Sequence, residues 1–113
     1  MNENQSFYKS KRWELLRENI LRRDGYMCQD RKRYGKRIEA TQVHHILPRE
    51  QFPEYQWQPW NLISLSQQAH NEMHYRGDRT LTAKGKELAR RTIAKYNRDH
   101  VEPLPFDIDI NKL

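Results

Sequence analysis

The chain has 113 residues, 35% of them hydrophobic, a mean hydropathy of −1.18, and 21 Lys and Arg against 15 Asp and Glu for a formal net charge of +6. That is enough for one domain, expected over 1–113, with a core thin enough that a metal or a partner would help to stabilise it. It leaves no apolar run near the roughly 20 residues of a membrane span, and its single cysteine, Cys28, allows neither an intramolecular disulfide nor a cysteine-rich zinc cluster.

In chain order, residues 1–6 read as an unstructured lead. Their polar start, Met1-Asn2-Glu3-Asn4-Gln5, lacks a signal peptide's apolar stretch, so the cytoplasm is the expected location. Trp13, Leu16, Ile20 and Leu21 recur at helical spacing and predict an amphipathic helix over 9–23, with Gly25 as its stop. Tyr26-Met27-Cys28 reads as a short strand, followed by a basic turn from Arg31 to Arg37. A strand is expected over 38–46, ended by Pro48, then a loop over 47–60 carrying Trp57 and Trp60, then a second apolar run, Leu62-Ile63-Ser64-Leu65. Ser66 is a suitable N-cap for a helix over 67–76 stopped by Gly77, and Thr82 for a last helix over 83–98. The tail 102–113, with Pro103 and Pro105, is expected to be peripheral or flexible.

Four of the five histidines, His44, His45, His70 and His74, lie within 44–74. On a continuous helix, His70 and His74 would sit about 40° apart and about 6 Å along the axis, on one face where both imidazoles can grip one divalent ion. An ordinary helix surface remains the other reading of that spacing. Zinc proteases place a glutamate directly after the first histidine, whereas here the order is His70-Asn71-Glu72-Met73-His74, with Glu72 expected on the far side of the helix. Neighbours in a strand point to opposite faces, so His44 and His45 can serve one site only where the strand ends or twists.

Val43-His44-His45-Ile46, then Trp60-Asn61-Leu62, then His70-Asn71-x-x-His74 resembles the signature of the HNH (ββα-metal) nucleases. The spacings, 16 residues from His45 to Asn61 and 9 more to His70, are similar to those of bacteriocin nucleases and small phage HNH proteins. Arg23-Asp24-Gly25-Tyr26 before the motif and Leu81-Thr82-x-x-Gly85 after it extend the resemblance over about 7–90. It implies an α+β fold: a ββα-metal hairpin-plus-helix core with flanking N- and C-terminal helices. Many members also carry two Cys-x-x-Cys pairs for a structural zinc. Here those stretches read Cys28-Gln29-Asp30-Arg31 and Ser66-Gln67-Gln68-Ala69, so that zinc is not expected, and Tyr26, Met27 and Tyr34 are expected to hold the region instead.

The resemblance implies a metal-dependent endonuclease that hydrolyses DNA phosphodiester bonds, and a single active site suggests nicking. His45 would be the general base, held by Asn61. One divalent ion (Zn, Ni, Mn or Mg) would be held by His44, His70 and His74, although His74 could instead stand behind the ligands. Arg49, Arg76 and Arg79 flank the motif as candidates for phosphate contact, while Trp57 and Trp60 can stack on bases or pack over the motif. The expected partner is DNA, with a phage packaging component or an inhibitor as candidate protein partners and a monomer or weak dimer as the assembly. The alternative is a metal-stabilised nucleic-acid-binding module without catalysis.

Overall fold

Five α-helices, three short 3-10 helices and one antiparallel hairpin make an α+β fold in this computed structural model, which describes residues 3–113. Helices α1 (Glu3–Lys9), α2 (Lys11–Arg23) and α3 (Gln29–Arg33) precede the hairpin of β1 (Gln42–His45) and β2 (Leu62–Leu65). Helices α4 (Gln67–Asn71) and α5 (Ala83–Asp99) follow it. The expected unstructured lead lies outside the described residues at positions 1 and 2, and from Glu3 onward the chain is helical. Ser10 separates α1 from α2: its hydroxyl accepts from the Trp13 amide at 3.1 Å and donates to the Phe7 carbonyl at 2.7 Å. The N-cap turns the chain so that Phe7 packs at 5.3 Å against Trp13.

The hairpin pairs His44 with Ile63 and His45 with Leu62. Its edges are tied to α2 by Arg23, which donates to the Leu62 and Pro59 carbonyls, and by Asp24, which accepts from the Ser64 amide at 3.0 Å. One apolar cluster, with Phe7, Trp13, Ile20, Val43 and Leu62, lies towards α2. The other, with Cys28, Leu47, Leu65, Met73, Leu81 and Leu88, lies towards α5.

Several expected elements are shorter. The strand over 38–46 reduces to Gln42–His45, with Met27 and Glu39 forming an isolated bridge. The basic turn contains α3, for which Cys28 is the N-terminal flank. The helix over 67–76 ends at Asn71, capped at its start by Ser66 as expected, and His74 lies beyond it in an antiparallel bridge to Leu81. Tyr26 and Tyr34 are exposed, and Tyr26 reaches only back to α2, where its hydroxyl donates to the Glu18 carboxylate. The region is held by Cys28, fully buried, and by ion pairs from Asp30 and Arg31. The tail folds back: Leu104 and Leu113 are buried, and the Leu81 amide donates to the Leu113 carbonyl at 3.1 Å. No described helix is long and apolar enough to cross a membrane.

Candidate functional site

The hairpin delivers two histidines side by side, and their surroundings differ. His44 is 1% exposed and its ring lies 5.4 Å from that of His70 and 5.2 Å from that of His74. One ligand atom from each of these three residues falls within 4.8 Å of the others, the one such group among the described residues. The Nε2 of His44 is also the one buried side-chain nitrogen or oxygen among them with no hydrogen-bond partner. A buried polar atom without a partner is costly, and three converging imidazole nitrogens are the donors a divalent ion takes. The residues present therefore fit a metal.

His70 comes from the end of α4 and His74 from the bridge after it, so the one-face helical geometry expected for the pair is replaced by a turn that brings their rings to 6.0 Å. His74 Nδ1 donates to the Arg79 carbonyl at 3.1 Å, which leaves Nε2 as its free acceptor. Arg79 presents that carbonyl from a left-handed backbone, φ +61°. Burial, reinforced by His70, His74 and His45, holds the His44 pKa well below the usual histidine value. His70 is lowered by burial, then by His74 and Arg79. Both shifts keep the His44 and His70 nitrogens unprotonated and able to ligate.

His45 faces an aromatic wall. Its ring stacks on Trp13 at 5.2 Å with 21° between the planes, and meets the edges of Phe7 at 5.6 Å and Tyr8 at 6.2 Å. Its Nε2 lies 3.0 Å from the Gln56 carbonyl. A carbonyl only accepts, so Nε2 carries the proton and Nδ1 is the bare nitrogen. Burial, opposed by the Gln56 carbonyl and aided by Arg49, lowers its pKa to about 4.

Asn61 is fully buried and its side chain bonds the loop rather than His45. Its Oδ1 accepts from the Leu47 amide at 2.7 Å, and its Nδ2 donates to the Leu47 carbonyl at 3.2 Å and the Tyr55 carbonyl at 3.3 Å. It pins the loop that presents the Gln56 carbonyl, so any hold on His45 is indirect.

A cleft of about 620 Å³ opens over these residues, lined by His44, His45, His70 and His74 together with Tyr8, Lys9, Arg17, Arg49 and Arg79. Arg49 lies 4.0 Å over the Phe7 ring and donates to Gln56 Oε1 at 3.0 Å. Arg76 is exposed and outside the cleft lining. Trp57 packs on Phe7 and under Arg12, and Trp60 on Tyr55 and Tyr96, so both tryptophans serve packing. His100 is exposed and stacks on Tyr96.

Sequence reading passed over the Gln56 and Arg79 carbonyls, for which no residue-type signal exists because any residue offers a carbonyl. It also passed over Tyr8 as a cleft residue; the aromatic character of the opening helix was its only trace.

No protein-family model matches the chain, and no curated protein matches it. Among solved structures it is similar to the crystal structure of the HNH endonuclease of the deep-sea thermophilic bacteriophage GVE2 with a manganese ion. The identity is 35%, the TM-score 0.59, and the match covers 61% of this chain and 75% of the other.

Proposed function

The chain belongs to the HNH endonuclease family, enzymes that hydrolyse phosphodiester bonds, and from that premise we propose a metal-dependent DNA endonuclease, spanning 1–113 as one domain, that nicks one strand with His45 as general base. The observation that carries this reading is the convergence of His44, His70 and His74 within 4.8 Å, with a partnerless His44 nitrogen, beside an imidazole of quite different surroundings.

His44, His70 and His74 would hold one divalent ion, which when bound supplies charge neutralisation at the phosphate and stabilises the departing oxygen. Imidazole donors favour a transition-metal ion over Mg²⁺. The manganese of the phage relative supports Mn²⁺ as the ion to try first.

The rest is the work of the chain. His45 takes the proton of the attacking water at Nδ1, its Nε2–H steadied by the Gln56 carbonyl and its ring plane by Trp13. A phosphodiester anion in the cleft favours the protonated imidazole and lifts its pKa from about 4 towards the working range. Asn61 holds the loop that holds the base. Arg49 and Arg79 contact flanking phosphates from the walls of the cleft, and Arg76, on the nearby surface, a more distant one.

Supercoiled plasmid incubated with Mn²⁺, Zn²⁺, Ni²⁺ or Mg²⁺, with and without chelator, tests the reading. Open circles that form with metal and not with chelator are expected. Plasmid that is bound yet intact with every ion would instead favour the non-catalytic binding module.

A further inference from the structure

On the far side of the turn from the imidazoles lies a cluster of four charges that the proposed chemistry does not use. Glu72 stands between His70 and His74 in sequence, but its carboxylate is held by Arg31, through two parallel bonds of 3.0 and 2.8 Å, and by Lys84 at 2.6 Å. Both cations also bond Asp30, whose side chain is 5% exposed. The four charges thus join α3, the turn after α4 and the first turn of α5.

That turn needs holding. Helix α4 has only five residues, too few to keep its shape alone, and His74 lies beyond its end. Around Glu72 the backbone is gripped as well. The Thr82 hydroxyl donates to the Glu72 carbonyl at 2.6 Å and the Thr82 amide to the Met73 carbonyl at 2.9 Å. A Cβ at Gly85 would come within 2.4 Å of the Met73 carbonyl, so the first turn of α5 can approach this closely only with glycine there. Partly buried ion pairs add little stability over apolar side chains of similar volume; what a two-pronged pair adds is a fixed geometry.

We propose that Asp30, Arg31, Glu72 and Lys84 form a positioning network for the metal site, locking the turn so that His70 and His74 meet His44 at the separation one ion requires. This rests on the reading of His44, His70 and His74 as ligands. Partners standing behind metal ligands typically affect metal affinity by about 10- to 100-fold.

Mn²⁺ binding, followed by the electron paramagnetic resonance of the free ion, is the test, with thermal unfolding in chelator as the measure of the metal-free fold. Arg31→Met is expected to weaken Mn²⁺ binding about tenfold or more and to shift the visible spectrum of bound Co²⁺, which reports ligand geometry. Arg31→Lys, which keeps the charge but not the fork, should weaken it less. Arg90→Met, which breaks a surface pair with Glu87 on α5, should leave both unchanged. A lowered unfolding temperature for Arg31→Met with wild-type Mn²⁺ affinity and Co²⁺ spectrum would overturn the proposal and leave the network merely structural. Should Arg31→Met fail to fold, Lys84→Met decides, because that side chain is 34% exposed and its loss keeps the fork; unchanged Mn²⁺ affinity there overturns the proposal too. If His44→Ala bound Mn²⁺ as tightly as wild type, the ligand assignment itself would fall.

Discussion

His44 and His45 are neighbours on one short strand, yet their rings occupy two different chemical environments. The first sits among imidazoles, with a nitrogen that nothing among the described residues satisfies. The second is stacked, hydrogen-bonded and flanked by aromatic rings. The alternation of a strand supplies the separation, because consecutive side chains leave on opposite faces. The end of β1 at His45 lets both still line one cleft. An orphan nitrogen is a place for a ligand; a ring fixed in one tautomer is a place for a proton. The contrast supports distinct proposed roles for two residues of the same type.

Exchange of the two side chains with alanine is the hardest test of that contrast. His45→Ala is expected to lower the nicking rate by about 10² to 10⁴ with metal binding retained, and no excess of Mn²⁺ should restore it. His44→Ala should lose metal affinity instead, with partial recovery of nicking at high Mn²⁺. Metal titration and nicking rates over a range of Mn²⁺ separate the two outcomes. Loss of the ion from His45→Ala, with normal cutting by His44→Ala, would reverse the assignment.

The loop opposite the hairpin is the next place to press. Asn61→Ala removes the acceptor of the Leu47 amide and the donor to two carbonyls in a buried setting, each worth about 1–3 kcal/mol when left unsatisfied. A lower unfolding temperature is therefore expected together with slower nicking, because the Gln56 carbonyl is no longer fixed against His45. Metal affinity should stay near wild type. If Asn61→Ala lost metal as readily as His44→Ala, the loop would belong to the other half of the site.

The grouping of His44, His70 and His74 was legible because chemistry restricts the residue types that can hold a metal, and their spacing carries over a resemblance of about 84 residues. The caps Ser66 and Thr82 were legible for a similar reason, since a short hydroxyl side chain is among the few that can accept from the free amides of a helix's first turn. The bounds of the helix holding His70 were not. The cap at Ser66 and the stop at Gly77 bound a helix that would run past Asn71, and the break there depends on Thr82, Gly85 and the ion cluster from α3 and α5. The reason given for setting Glu72 apart from the metal, its place on the back of a continuous helix, therefore gives way to another: Arg31 and Lys84 hold it. Their hydrogen bonds lower its pKa to about 2.

The cleft walls offer a smaller effect. Arg49→Ala and Arg79→Ala should each weaken binding of a random duplex and reduce the slope of log affinity against log salt by about one. Arg76→Ala, outside the cleft, should change it less. Arg79→Ala keeps the backbone carbonyl that holds His74, so its metal affinity should be unchanged. An affinity flat in salt for wild type would remove the phosphate reading from both walls.

Cys28 is where the smallest change is expected, and it sharpens the same comparison by asking whether sulfur belongs to the metal half of the site at all. Its side chain is fully buried in the cluster with Leu65, Met73 and Leu81, and its sulfur is not one of the ligand atoms that converge within 4.8 Å. Cys28→Ala should lower stability by on the order of 1 kcal/mol through lost packing. Cys28→Ser should cost somewhat more, because it buries a hydroxyl among apolar side chains. Neither should alter the metal stoichiometry or the nicking rate at saturating Mn²⁺. Unfolding temperature and metal content measured on both variants decide it. A fall in bound metal in Cys28→Ala, with the fold intact, would mean that the sulfur reaches an ion and that the two halves of the site are not separate.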